Sequence, residues 1–305
     1  MSWSRREFIA TTSVAAVAGA FQPVNVFGQQ QPAGAQPPAP AVPKFDMLRR
    51  NMGVFTARGG TIGWLVAPDA VLVVDSQFAD TAQMFLDGLK GRTQRKIDLL
   101  INTHHHPDHT GGNKLLQPAV TKIVAHANVP GLQRKQAAAR KTEADQAYAD
   151  TTFSDTWKVD LGSEVVSAKY YGPGHTGGDG VIFFERANIV HMGDLMSHQR
   201  HPRIDRPSGA SIRNWLVSLE NVVKDHTADT IYIFGHAKVG APVSGSRADL
   251  LALRDYFTAM LDYVQKGISA GKSAEEITKG VVPGYTDHEG TAALQVAFDE
   301  LTAKA

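Results

Sequence analysis

Residues 97–112 read IDLLINTHHHPDHTGG: an apolar run interrupted only by Asp98, then four histidines and an aspartate, closed by two glycines. A short apolar run that ends in turn residues is a buried strand. The chain must therefore fold so that a core strand delivers an imidazole-rich loop to its exposed end, where a rigid scaffold usefully carries binding groups. Alternate side chains of an extended segment share a face, so His104 and His106 can point together while His105 points elsewhere. Asp108 and His109, adjacent on the following turn, can serve a second centre nearby. Taken alone, the stretch reads either as a solvated polar loop or as a place built to hold metal ions.

Runs rich in β-branched residues at 53–56, 61–66, 70–75 and 97–102 predict strands, and a further set falls at 121–125, 164–171, 181–185, 188–192 and 230–234. Between the third and fourth runs, residues 81–89 place Met84, Phe85 and Leu89 on one side and predict a helix. SIRNWLVSLENVVKD carries Ile212, Trp215, Leu216, Leu219, Val222 and Val223 at helical spacing, which makes Trp215 a core residue rather than a substrate platform. The charged, alanine-rich stretch 133–148 predicts another helix with a solvated face. From Arg247 onward, Leu250, Leu251, Leu253, Tyr256 and Phe257 predict a long helix followed by shorter ones. Strands alternating with helices in both halves predict a layered α/β architecture with helix-covered sheets.

The N-terminal 20 residues have the layout of an export signal: Arg5 and Arg6, then Phe8, a short apolar run and an Ala18-Gly19-Ala20 site. Ser4-Arg5-Arg6-Glu7-Phe8-Ile9 resembles a twin-arginine (Tat) signal, with an ordinary Sec signal or an uncleaved anchor as the other readings. The expected location is periplasmic. Residues 21–44, rich in Pro, Gln and Ala, read as a linker, and residues 45–305 as one catalytic domain. Lys plus Arg number 31 against 30 for Asp plus Glu, so no field favours nucleic acid or an anionic membrane. The apolar run is too short for stable membrane insertion. Cysteine is absent, so any metal must be held by nitrogen and oxygen and no thiol can act as nucleophile.

Three more donors recur in one kind of place. GPGHTGGD puts His175 in a Gly-rich turn after a strand; IVHMGDL puts Asp194, and IYIFGHAK puts His236, at strand exits. Each of them singly is more often a structural capping or hydrogen-bonding residue. Together they follow H-x-H-x-D-H at His104, His106, Asp108 and His109, and the ordered pattern resembles the metallo-β-lactamase superfamily over a region from about Phe45 to at least His236. The resemblance implies an αββα sandwich with its metals at one edge. It implies that His104, His106 and His175 bind one ion, that Asp108, His109 and His236 bind a second, and that Asp194 bridges both, which makes Asp108 and Asp194 the carboxylates of the catalytic centre.

Imidazole and carboxylate ligands suit zinc, two per chain, with iron or manganese compatible with the same donors. A dinuclear centre of this kind activates water to a bridging hydroxide that cleaves an ester, thioester, lactone or amide bond in a small molecule. Class B-like β-lactamase activity is the alternative within that chemistry, made less favoured by an aspartate at position 194. A mononuclear-iron sulfur dioxygenase is the alternative from another class, and a non-catalytic metal protein is a third. The segment LMSHQRHPRIDRPSG brings His198, Arg200, His201, Arg203 and Arg206 close to Asp194, and Lys238 follows His236. His198, His201, Arg203 and Lys238 are candidate contacts to an anionic substrate, or members of a solvated loop whose charges pair with Asp205. Asp75 reads equally as a carboxylate that orients a metal histidine and as a strand cap. His105 is expected to make an orienting contact, and His126, His191, His226 and His288 to bond within the core or surface. Oligomeric state is left open by these features.

Overall fold

Alternation within the apolar runs sends side chains to two different cores, so neither face of these strands meets water. The structure, a computed structural model, describes residues 42–285 and 291–303; the signal at 1–20, most of the linker and His288 lie outside the described residues. The first sheet has seven strands in spatial order: β1 (Lys44–Arg49), β2 (Met52–Thr56), β3 (Ile62–Val66), β4 (Val71–Val74), β5 (Ile97–Asn102), β6 (Val120–His126) and β7 (Thr151–Phe153). The first four run antiparallel, and β4 through β7 run parallel. The second sheet contains β8 (Thr156–Asp160), β9 (Val165–Tyr170), β10 (Gly180–Phe184) and β11 (Ile189–His191) as an antiparallel meander. A two-residue strand β12 (Ser197–His198) leaves the meander, β13 (Ile231–Ile233) adds parallel to β11, β14 (His236–Ala237) pairs with β12, and β15 (Ser244–Gly245) closes the edge beside β13.

In β4, Leu72 and Val74 enter the core between the sheets, while Val71 and Val73 face the outer core under α1 (Ala79–Lys90). In β13, Ile233 packs between the sheets and Tyr232 outward. A strand covered on both faces reads as a continuous apolar run rather than an alternating one, which is why VLVV and IDLLI look as they do. Short helices α2 (Pro107–Thr110) and α3 (Asn113–Leu116) follow β5, and α4 (Val129–Arg140) follows β6. The second sheet's outer face is covered by α5 (Ile212–Asp225), α6 (Arg247–Ser269), α7 (Ala274–Thr278) and α8 (Thr291–Thr302). The result is the αββα sandwich, a mixed α/β fold in four layers. Trp215 lies fully buried in the outer core, its ring 4.9 Å from that of Phe257 and tilted 52° to it.

The helix expected over residues 133–148 differs. It starts earlier, at Val129 with Pro130 in its first turn, and stops at Arg140, where Lys141 turns left-handed at φ 57°. After a 3-10 turn at Glu143–Asp145 the chain runs extended from Gln146, because Ala147 is buried under the first sheet and its carbonyl accepts from both Asn113 and Gln133. Helical propensity yields there to tertiary hydrogen bonds. The short strands β1, β7 and β8 carry weak apolar signals and were not expected; β1 opens at Lys44, the last residue of the anticipated linker.

Because α5 is the helix that presses the outer core onto the second sheet, Leu219→Ala, at a fully buried position, should destabilise the protein by roughly 2–5 kcal/mol. Urea titration should show a lower midpoint with an unchanged slope, as expected for a cavity rather than an altered denatured state.

Candidate metal centre

Four chain segments end at one edge of the sandwich. Asn102 closes β5, and Thr103 to His106 leave it in extended form, with His106 at φ −65°, ψ 147° serving as the N-cap of α2. Pro107 starts that single turn, which presents Asp108 and His109 and returns the His109 and Thr110 amides to the His106 carbonyl. His175 sits in the glycine turn after β9. The buried Asp179 ties that turn, accepting from the amides of Gly174 and Thr176 at 3.1 and 2.8 Å. Asp194 lies on a 3-10 turn after β11, opened by Gly193 at φ 51° against the Thr103 side chain. His236 follows Gly235, where any Cβ would come within 2.2 Å of Asp194 Oδ1. The glycines beside His175, Asp194 and His236 thus allow backbone to close around the centre.

The expected donors converge in two sets. His104, His106, His175 and Asp194 form one, and Asp108, His109 and His236 the other, each with potential ligand atoms within 4.8 Å of one another. His106 Nδ1 lies 3.1 Å from His104 Nε2 and 2.9 Å from His175 Nε2. His236 Nε2 lies 3.0 Å from Asp108 Oδ2 and 3.4 Å from His109 Nε2. Asp194 stands between the sets: Oδ1 is 3.0 Å from His109 Nε2, and Oδ2 is 3.4 Å from His236 Nε2 and 3.5 Å from His175 Nε2.

The hydrogen bonds behind the imidazoles decide which nitrogen carries a proton. His106 Nε2 lies 2.8 Å from Asp205 Oδ2, and His175 Nδ1 lies 2.6 Å from the Arg203 carbonyl; both partners only accept, so those nitrogens are protonated. Thr103 Oγ1 donates its single proton to Asp75, and therefore accepts from His104 Nδ1 at 3.0 Å. In neutral rings, the three inward nitrogens of the first set are then lone pairs facing each other at 2.9–3.1 Å. That arrangement is repulsive unless a cation lies among them. The buried Asp194 Oδ1, which has no aligned hydrogen-bond donor, adds to the same requirement. The donor set fits a metal of borderline hardness, with nitrogen and carboxylate oxygen and no sulfur.

Electrostatics in the metal-free protein divide the two sets. Burial pushes the His104 imidazole well below its usual range, aided by the other imidazoles, and takes His106 down to about 4 against the opposing effect of the hydrogen bond it donates to Asp205. Burial also works against charge on His109 and His236, but carboxylates outweigh it. Asp194, Asp75 and Asp108 hold His109 well above its usual range, and Asp194 and Asp108 raise His236 to about 9. The same pairing overcomes burial at Asp194 and Asp108 and keeps both carboxyls well below the carboxylate range.

Two residues gain roles that the sequence left ambiguous or pointed elsewhere. Asp75 Oδ2 lies 2.7 Å from His109 Nδ1, and Asp75 also accepts from the Thr103 amide, so it orients a ligand and ties the loop to β4. Asp205 feels the charge of Arg203, as expected of the loop, but its carboxylate is bonded elsewhere. It is buried and directed at His106, a role no local spacing signals because 99 residues separate the two. His105 Nε2 lies 3.3 Å from Ser208 Oγ in the same loop. His198 has both ring nitrogens engaged, with the Pro242 carbonyl at 2.8 Å and Asp249 at 3.3 Å, which gives it a bracing part in the fold. His201 bonds Tyr256 through Nδ1, Arg203 reaches the centre through its carbonyl while its side chain is exposed, and Lys238 is exposed. His126, His191 and His226 serve the scaffold: His126 bonds the Ser154 carbonyl and stacks on Tyr170, His191 bonds the Thr61 carbonyl, and His226 packs on Phe183.

The model of the metallo-beta-lactamase superfamily matches residues 56–236, a span that contains every ligand named above. Among curated proteins, the chain is 22% identical over 222 residues to a type 2 metallo-beta-lactamase of Elizabethkingia meningoseptica, covering 70% of this chain and 82% of that protein. It is 25% identical over 202 residues to a probable metallo-hydrolase of Methanocaldococcus jannaschii, covering 61% and 92%. Among solved structures, a metallo-beta-lactamase from Pontibacter korlensis superposes with TM-score 0.60 at 15% identity, covering 71% of this chain and 99% of that one. A double mutant of the sec-alkyl sulfatase PisA1 superposes with TM-score 0.65 at 13% identity, covering 85% and 50%. These likenesses establish the fold.

Two outcomes are expected. A nitrogen that carries a proton cannot ligate, so zinc loading of the metal-free protein at pH 7 should release about two protons per chain, one each from His109 and His236. The His236 share should vanish as pH rises through about 9, and calorimetry in buffers of different ionisation enthalpy reads both values; zero release at pH 7 would contradict the charge assignment. Asp205→Ala removes the acceptor that fixes the His106 ring, and should weaken metal binding about 10–100-fold in competition with a chelator.

Proposed function

The chain belongs to the metallo-beta-lactamase superfamily and is a metal-dependent hydrolase, and we propose that it uses two zinc ions to cleave an ester, thioester, lactone or amide bond in a small molecule. His104, His106 and His175 would hold one ion, Asp108, His109 and His236 the other, and Asp194 both. Ions bound there supply Lewis acidity toward a carbonyl oxygen and draw the pKa of water toward neutrality.

The observation that carries the proposal is the position of Asp194, whose two oxygens face different sets of ligands. A mononuclear iron oxygenase needs one set; this chain assembles two. Side chains of the first set are almost fully buried, whereas Asp108 keeps 27% of its side chain exposed and His236 17%. Substrate therefore approaches over Asp108 and His236. Asp75, Asp205 and the Arg203 carbonyl hold the imidazoles at fixed tilt during that approach, so the polar environment is organised before substrate arrives. Gly60 lies against the His109 ring, where a Cβ would come within 2.2 Å, and keeps the wall there thin. β-Lactams are cyclic amides within this class, and relatives that bear that name make them the first amides to assay. Export across the inner membrane by way of the Arg5-Arg6 signal is proposed alongside, which would make the enzyme periplasmic.

Protein purified without added metal should contain about two zinc ions per chain by elemental mass spectrometry, and a chelator should abolish hydrolysis. Asp194→Ala should lower second-metal occupancy and reduce turnover by roughly 100-fold or more, given that even outer partners of metal ligands contribute 10–100-fold. Turnover that survives the substitution would overturn the bridging role, and one iron per chain would overturn the zinc hydrolase.

A further inference from the structure

Two cavities meet at Arg200. The first, of about 180 Å³, is walled by Gly59, Gly60, Thr61, Gly235 and His236, and so lies against the more open set of metal ligands. The second, of about 250 Å³, lies between the segment that starts at Met196 and the helix α6, with Ala252, Leu253 and Tyr285 on its wall. Arg200 borders both. The paired strands β12 and β14 carry His198 to the second cavity and His236 to the first.

The chemistry of the second cavity is uneven. Met196, Ala252, Leu253 and the Tyr285 ring give it apolar wall. Its polar members His198 and Asp249 are already committed: they lie 3.3 Å apart, His198 also bonds the Pro242 carbonyl, and Asp249 accepts from the Ser246 amide in the capping box of α6. Arg200 is different. It is exposed and forms no hydrogen bond or ion pair with another described residue, so an uncompensated guanidinium stands where the apolar cavity joins the metal side. The α6 and Tyr285 wall also falls outside residues 56–236, the part of the chain that matches the family model. The cavity is therefore shared: the matched core gives it the wall from Met196 to Arg200, and this chain's C-terminal helical segment gives it the wall from Asp249 to Tyr285.

We propose that the second cavity is the specificity pocket of this enzyme: it takes the apolar arm of a substrate whose carboxylate is gripped by Arg200, while the bond to be cleaved lies in the first cavity. The inference rests on the hydrolase reading above. A planar guanidinium offers a carboxylate two parallel hydrogen bonds and a fixed orientation, and the arm fills apolar space that leaves its polar neighbours paired with each other.

The test is calorimetric binding of 4-phenylbutanoate, 4-phenylbutanamide and unbranched butanoate to the zinc-loaded protein. Arg200→Ala should weaken 4-phenylbutanoate about 10–100-fold and leave the amide unchanged. Ala252→Trp, at an exposed helix position, should fill the pocket and weaken both phenyl ligands without altering butanoate. Equal metal content in both variants keeps the comparison on the pocket. Equal losses for acid and amide in Arg200→Ala, or no loss for the acid, would overturn the anionic anchor, because the carboxylate would then be held by metal alone. Phenyl ligands indifferent to Ala252→Trp would overturn the pocket. The hydrolase reading fails separately: wild type that shows this binding pattern yet cleaves no ester, thioester, lactone or amide that carries a phenyl arm and a separate free carboxylate has a binding pocket and no such activity.

Discussion

Everything at the edge of the sandwich depends on buried imidazoles whose outer nitrogens are held by groups that can only accept. Asp205 takes the proton side of His106, the Arg203 carbonyl that of His175, and Thr103, already spent on Asp75, that of His104. Three lone pairs are thereby forced to face one another in a dry site at distances of 2.9–3.1 Å. A buried polar cluster arranged this way is unstable alone and strongly binding toward a cation, since unpaired polar groups in low dielectric are costly and metal coordination relieves them. The second set answers the same problem differently. Its histidines sit among Asp194, Asp108 and Asp75 and take up protons until metal displaces them.

The scaffold explains how such a cluster survives. Parallel strands buried on both faces end at the same edge, and their exits are short and glycine-rich, so the ligand-bearing turns can close to contact distance without exposing the strands. The 3-10 turn at Gly193 and the close approach of Gly235 to Asp194 are the points where a side chain would push the two sets apart. One loop, residues 199–210, serves two purposes. Its Arg203 and Asp205 brace the first set from behind, and its Arg200 stands at the mouth. Changes to that loop made for substrate preference therefore reach His106 and His175 through the bonds to the Asp205 carboxylate and the Arg203 carbonyl, and through the Asp205 amide, which donates to the His175 carbonyl at 3.1 Å.

The C-terminal helices contribute differently from the core. They cover the second sheet with a large apolar cluster that includes Leu253, Tyr256, Phe257 and Met260, and this accounts for their length and pattern. Their inner end, at Asp249 and Ala252, also turns toward the segment after Asp194. A packing layer thus doubles as a wall for whatever approaches the centre, which lets specificity vary without disturbing the strands that hold the metal ligands.

Much of this was legible in residue order. The β5 run ends where the histidines begin, the periodicity of α5 puts Trp215 inside, and the candidate ligands His175, Asp194 and His236 lie at strand exits beside glycine, because strand length, helical period and turn chemistry are local properties. Weakly patterned pieces were not legible: β7 and β8 are short and half-exposed, and α4 stops early because the buried Ala147 carbonyl needs extended chain to reach Asn113 and Gln133. The sequence by itself determined the layered fold, the ligand types and the exclusion of thiol chemistry. Tertiary structure alone decided that Asp75 orients His109, that the Asp205 carboxylate bonds His106, that His198 braces the fold, and that Arg200 stands between two cavities. Those outcomes depend on which distant segments share a buried volume, and hydrogen bonds across such a volume leave no periodic trace along the chain.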